Sequence, residues 1–194
     1  MAHGVWFQSL FLNPPRICGR DLKPFSLGHE FLLRNLGSPL ICGGECRKED
    51  LFAAILICSM TFEQCQEIIL YRPRLLKWFL WSLRWWRADF ALACANFRQY
   101  VDEYTDTPGH WHKTDEKADT FIYAAPWELH IVRVLCREYN CKLTEAWNMP
   151  VSLARCLYDT WAEARGDTSL VSESQQEVID RIEREKAAEK KESA

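Results

Sequence analysis

Long apolar runs are missing from this chain. No stretch reaches about eighteen uncharged apolar residues, so no segment reads as a transmembrane helix. The start, Met1 to Leu12, has neither a cationic lead nor an extended apolar run, and no signal peptide is expected there. An excess of basic charge is missing too. Twenty-four Lys and Arg stand against 27 Asp and Glu, a formal net charge of -3. A generic nucleic-acid binder needs a cationic surface that displaces counterions, so nucleic acid is not an expected partner. Glycine is sparse, and the motifs that depend on it are absent: there is no G-x-S-x-G elbow and no P-loop, and H-E-x-x-H is lacking as well. No strand alternation offers the strand–turn–helix setting of a dinucleotide site.

Ionisable residues do not gather into a reacting set either. His29 and Glu30 are adjacent, hence about 100° apart on a helix, and Glu128 and His130 are two apart, hence on different sides. Glu63 and Glu67 share a face, as carboxylates on exposed helices routinely do. The nine cysteines are an odd number, so complete internal pairing is excluded. Cys58, Cys94 and Cys156 fall within apolar helical patterns, which fits buried thiols in a reducing compartment. Cys42-x3-Cys46 has the spacing of a zinc knuckle, but Cys58-x6-Cys65 does not. His110-x-His112, with Asp106 or Asp115, lies in a polar connection. The expectation is unrelated thiols and histidines, with no catalytic residue, no cofactor and no metal.

What the chain does have is aromatic mass: nine Trp, ten Phe and six Tyr, enough to fill a core or to anchor an interface. Residues 1–24 read as an irregular arm, with Trp6 and Phe7 available for docking and Pro14, Pro15 and Pro24 preventing a continuous helix. Residues 25–104 read as an N-terminal helical lobe. Its first helix follows Ser26 and stops at Gly37-Ser38-Pro39. A second covers about 48–59, and a third, opened by a Thr61/Gln64 capping box, about 62–71. The segment from Arg74 to about Tyr104 reads as one long helix. On it Trp78, Trp81, Trp85, Ala88 and Leu92 form one stripe, and Phe79, Trp86, Phe90, Ala93 and Phe97 form its neighbour.

Residues 105–120 are polar and rich in turn formers, and read as a linker or hinge. Residues 121–168 read as a C-terminal helical lobe: a helix from Pro126 to about Tyr139, a short one capped by Thr144 and ended by Pro150, and one from Ser152 closed by Gly166. Residues 169–194 are strongly charged and read as a marginal tail helix supported by pairs such as Asp180/Arg184, each adding about 0.2–0.5 kcal/mol. The fold expected is therefore all-α: a compact multi-helix bundle with a long central Trp-rich helix and a charged C-terminal helix. The mixture of rings and cations over 75–87 also suits a membrane surface or stacked bases. Its cations are not confined to one face, which favours the core or a protein interface, and membrane binding is not expected.

Two segments resemble a known family. Leu22-Lys23-Pro24-Phe25-Ser26-Leu27-Gly28-His29-Glu30-Phe31-Leu32-Leu33, followed by Gly37-Ser38-Pro39-Leu40, resembles the opening of small proteins encoded among tail genes of bacterial viruses and prophages. Glu145-Ala146-Trp147-Asn148-Met149-Pro150, with Ala154-Arg155, is similar to a segment of tail assembly chaperones and related tail proteins. The resemblance implies a helical, non-enzymatic chaperone in the cytoplasm of an infected bacterium. Such a chaperone binds the long tape-measure protein and guides polymerisation of the tail tube. The alternative is a structural component retained in the virion or another complex. Self-association through helix packing is a further expectation. No catalytic residue exists in the family to carry over. The residues expected to contact a partner are Trp6, Phe7, Trp78, Trp81, Trp85 and Trp147.

Overall fold

The computed structural model describes residues 12–70, 75–85, 87–107, 110–112, 125–166, 168–170 and Arg181. The expected contacts at Trp6 and Phe7, most of the expected linker, and the expected tail helix over 169–194 apart from 169–170 and Arg181 lie outside the described residues.

The chain is predominantly helical, as its patterning predicts. The arm is more ordered than expected from 12 onward. Arg16–Ile17 (β1) pairs antiparallel with Arg20–Asp21 (β2). Cys18 and Gly19 make the turn at φ 46° and 70°. Two successive positive φ values are what a two-residue hairpin of right-handed twist requires. Cys18 is an uncommon residue in that conformation, which is why the turn is hard to recognise in the sequence. Ile17 and Leu22 are buried. Two tyrosines pin the strap to the body: the Tyr100 hydroxyl donates to the Lys23 carbonyl at 2.6 Å, and the Tyr104 hydroxyl donates to the Leu12 carbonyl at 3.1 Å.

Leu27–Asn35 (α1) starts at Ser26 through a reciprocal cap in which His29 takes the place usual for Glu or Gln. The His29 backbone N–H donates to Ser26 Oγ, and the Ser26 N–H donates to His29 Nδ1. Pro39–Cys42 (α2) is a single turn, and Lys48–Cys58 (α3) and Phe62–Leu70 (α4) match expectation. Gln64 and Thr61 cap α4 as the sequence predicts.

The expected long helix over 74–104 is two helices, Leu75–Trp85 (α5) and Phe90–Thr105 (α6). Asp89 is the reason. Its extended backbone and its carboxylate, which accepts the Leu92 N–H at 3.1 Å, make it an N-cap, so a new helix begins there.

After His110–His112 (β3) come Trp127–Glu138 (α7), Leu143–Asn148 (α8) and Val151–Arg165 (α9). Thr144 sits inside α8; Lys142 precedes the helix, and its N–H donates to Glu145. Gly166 closes α9 in the left-handed conformation. Within the expected linker, β3 pairs antiparallel with Thr168–Leu170 (β4).

Two apolar clusters flank α1. One joins the hairpin, α1, α3, α6 and Val151, around Phe25, Ile55, Phe97, Tyr100 and Tyr104. The other joins Leu27, Phe62 and Trp147 to Ile131, Leu135 and Ala154. The chain crosses between them at an antiparallel bridge, Ser26 opposite Pro150. There the Leu27 N–H donates to the Met149 carbonyl at 3.1 Å and the Val151 N–H donates to the Phe25 carbonyl at 3.0 Å. The segments Leu22–Leu33 and Glu145–Val151 are thus hydrogen-bonded to each other.

Gly28 tests this packing. A Cβ there would lie 2.6 Å from Cδ2 of Phe62, whose ring is stacked on Trp147 at 4.7 Å. Overpacking costs about 1–3 kcal/mol, while alanine gains about 1 kcal/mol in helix propensity. The clash wins because Phe62 is held on its far side. Gly28→Ala should lower stability by about 1 kcal/mol, read as a lower urea midpoint at unchanged slope.

Candidate functional site

The densest polar constellation lies between α1, α7 and α9. The side chains of Glu30 and Glu128 are only 3 % and 2 % exposed. Charge so deep in a protein persists only when other groups replace the lost water. Arg34 lies one turn beyond Glu30 and donates to Glu30 Oε1 from Nε at 3.2 Å and from a terminal nitrogen at 2.9 Å. Arg155 of α9 donates to both oxygens of the same carboxylate, at 3.0 and 3.4 Å. Trp127 of α7 roofs the cluster, with Arg155 over its ring at 4.7 Å and Arg34 at 5.9 Å.

Glu128 is less well served. Arg34 Nε comes within 3.3 Å of its Oε1, yet that oxygen accepts no hydrogen bond. Burial, together with the Glu30 charge, raises the Glu128 carboxyl above its ordinary pKa against the pull of Arg34 and Arg155. These four charges balance in sign. Three helices hold them, and their chemistry is that of a clamp: each carboxylate is committed to fixed cations.

His29 extends the polar seam. Its Nε2 lies 2.7 Å from the Met60 carbonyl, which can only accept, so the proton sits on Nε2 and Nδ1 accepts from Ser26. Burial lowers its pKa to about 4. On the opposite flank of α1, Asn148 joins α8 to α4. Its Oδ1 accepts the Phe62 N–H at 2.9 Å, and its amide nitrogen donates to Glu63 at 2.9 and 3.0 Å. Among the described residues no group of three or more His, Cys, Asp or Glu is arranged to hold a metal ion.

Of the aromatic residues expected to meet a partner, Trp81, Trp85 and Trp147 have described side chains, and these pack against the chain itself. Trp147 is 8 % exposed and packs between Phe31 and Phe62, so its ring is core and not a contact. Trp81 is half-buried: its Nε1 donates to the Cys18 carbonyl at 3.1 Å, its ring meets Phe52 edge-on, and Arg20 lies over it at 5.2 Å. Trp85 is also half-buried, and its ring lies where a Cβ on Gly19 would be, 2.4 Å from Cζ2. Trp81 and Trp85 therefore meet at the hairpin. Trp78 lies on α5, with its side chain outside the described set.

Three leucines of α5 and α6 are exposed, two of which, Leu80 and Leu83, periodicity did not single out. Leu80 and Leu83 of α5 are 59 % and 52 % exposed, and Leu92 of α6, expected on the Trp stripe, is 57 % exposed. Arg84 and Arg87 are exposed beside them. Inward rings at 81 and 85 force positions 80 and 83 outward, a consequence legible only once the buried face is known.

Neither a protein-family model, nor a curated protein, nor a solved structure matches the chain.

Two outcomes follow from the buried polar seam. Replacing Arg155 leaves Glu30 with half its donors and Trp127 without its closest cation, so Arg155→Ala should cost about 2–4 kcal/mol in urea unfolding. The neutral His29 binds fewer protons folded than unfolded between pH 6.5 and about 4, so stability is complete above that window and falls as pH drops through it. The loss amounts to about 3 kcal/mol by pH 4. His29→Gln should flatten this dependence while being less stable at pH 7; thermal unfolding between pH 4 and 7 reads both effects.

Proposed function

We propose that this chain is a non-enzymatic binding protein of the phage tail assembly chaperone kind, which covers an apolar helical segment of a tape-measure or tube protein in the cytoplasm of the bacterial host. The observation that carries the reading is the exposure of large leucines on α5 and α6. Leu80, Leu83 and Leu92 stand in solvent although the same helices turn their rings inward. Leu80 and Leu83, three apart on α5 and followed by Arg84, fit an amphipathic partner helix with acidic flanks. The likeness of Leu22–Leu33, and of Glu145–Pro150 with Ala154-Arg155, to tail-gene products supplies the class of client.

Co-expression with a long helical tail protein tests the proposal. The wild-type chain should keep that client soluble and co-purify with it. Leu80→Asp combined with Leu83→Asp should abolish co-purification with no more than about 1 kcal/mol lost in stability, as expected for exposed positions. Trp81→Ala, by contrast, should destabilise the fold through the hairpin. A client that remains bound by the leucine double variant sinks the assigned surface. A client never bound by the wild type sinks the chaperone reading. Mass spectrometry of finished particles separates a departing chaperone from a retained component, which would be present at fixed copy number.

A further inference from the structure

Three thiols from distant parts of the chain converge beside the first core. Cys94 is on α6, Cys46 is in the turn before α3, and Cys18 is in the hairpin turn. The Cys94 thiol points at Cys46 Sγ across 3.8 Å, while the Cys46 thiol also faces the Arg47 carbonyl at 3.5 Å. Cys94 is close enough to Cys18 to raise its pKa, after burial has done so first. All three are reduced.

We infer that Cys46 and Cys94 form an oxidation site: a small-molecule disulfide of the glutathione class converts them to an internal disulfide that fastens the turn before α3 to α6. Three observations carry this. The sulfurs need to close only from 3.8 Å to about 2.05 Å. Cys46 follows Gly43 and Gly44, both at positive φ (82° and 116°), in a run where 42–45 is exposed, so its backbone has room to adjust and an oxidant can reach it. Cys94 is buried on a helix, so it acts from a fixed position as the resolving thiol.

The chemistry balances in two exchanges. The Cys46 thiolate attacks one sulfur of RSSR; the S–S bond of the oxidant breaks, RS⁻ leaves and takes up a proton, and Cys46 carries a mixed disulfide. The Cys94 thiolate then attacks Cys46 Sγ, the mixed disulfide breaks, and a second RS⁻ leaves and is protonated. Two protein thiols lose two electrons and two protons, and RSSR becomes two RSH. Burial and the neighbouring Cys94 raise the Cys46 thiol, so the attacking thiolate is scarce at neutral pH. The rate of oxidation should therefore rise about tenfold per pH unit between 7 and 9.

The test uses the full chain incubated with oxidised glutathione, then blocked with an alkylating agent, digested without reduction and mapped by mass spectrometry. The expected product is a peptide pair joined through Cys46 and Cys94, with no retained glutathione. The oxidised protein should melt about 5–15 °C higher and return to the reduced value with dithiothreitol. Cys46→Ser and Cys94→Ala should each abolish the linked pair and the shift. Mapping the wild type decides the matter even if a variant folds poorly. A Cys42–Cys46 or Cys18–Cys94 link, a stable glutathione adduct on Cys46, or an oxidation rate independent of pH would overturn the assignment.

Discussion

Glu30 and Glu128 take charge out of water, and a buried carboxylate costs several kcal/mol unless cations and donors replace its solvent. The rest of the architecture is consistent with that single demand. Arg34 comes from the same helix as Glu30 and is available as soon as α1 forms. Arg155 is 125 residues away and becomes available only when α9 docks. Trp127 closes the seam from α7 and holds both cations over its face. The compensation of one carboxylate thus fixes how three helices sit. The Ser26–Pro150 bridge lies where the backbone must cross for α9 to bring Arg155 into reach.

Around that seam the apolar groups sort by geometry. Leu27 faces the cluster of Phe62, Trp147 and Leu135, while Phe25 and Leu33 face the cluster of Phe97, Tyr100 and Tyr104. Tyr100 and Tyr104 serve both packing and polar satisfaction. Their rings meet at a tilt along α6, 5.4 Å apart, and their hydroxyls satisfy carbonyls of a strap that has little regular ladder of its own. Gly28 lets the Phe62 ring approach α1 closely enough to stack on Trp147.

Much of the helical layout was legible in the sequence because caps and breakers are local signals. Ser26, the Gly37-Ser38-Pro39 stop, the Thr61/Gln64 box and Gly166 act within one turn of where they sit. The break at Asp89 was missed because continuous apolar periodicity masked a capping residue. The hairpin was missed because Cys-Gly is not the usual Asn-Gly turn. The inward direction of Trp81, Trp85 and Trp147 was not legible, since periodicity names two faces without saying which one meets the core. The clamp was beyond reach for a different reason. Glu30 and Arg34 are a plain i,i+4 pair in the sequence, and nothing local marks Arg155 or Glu128 as their partners.

The bridge between Phe25 and Val151 has a bearing on how the molecule is made. At about 5–20 residues per second, a ribosome needs roughly 6–25 seconds to travel from one of these positions to the other. Throughout that interval the nascent N-terminal part holds Glu30 without Arg155 and Phe25 without the backbone it pairs with. Cooperative closure therefore waits until Val151 and Arg155 have been made. A transcript cut short before codon 155 would yield a product in which Glu30 keeps Arg34 but lacks Arg155, a more open state for cellular proteases to meet.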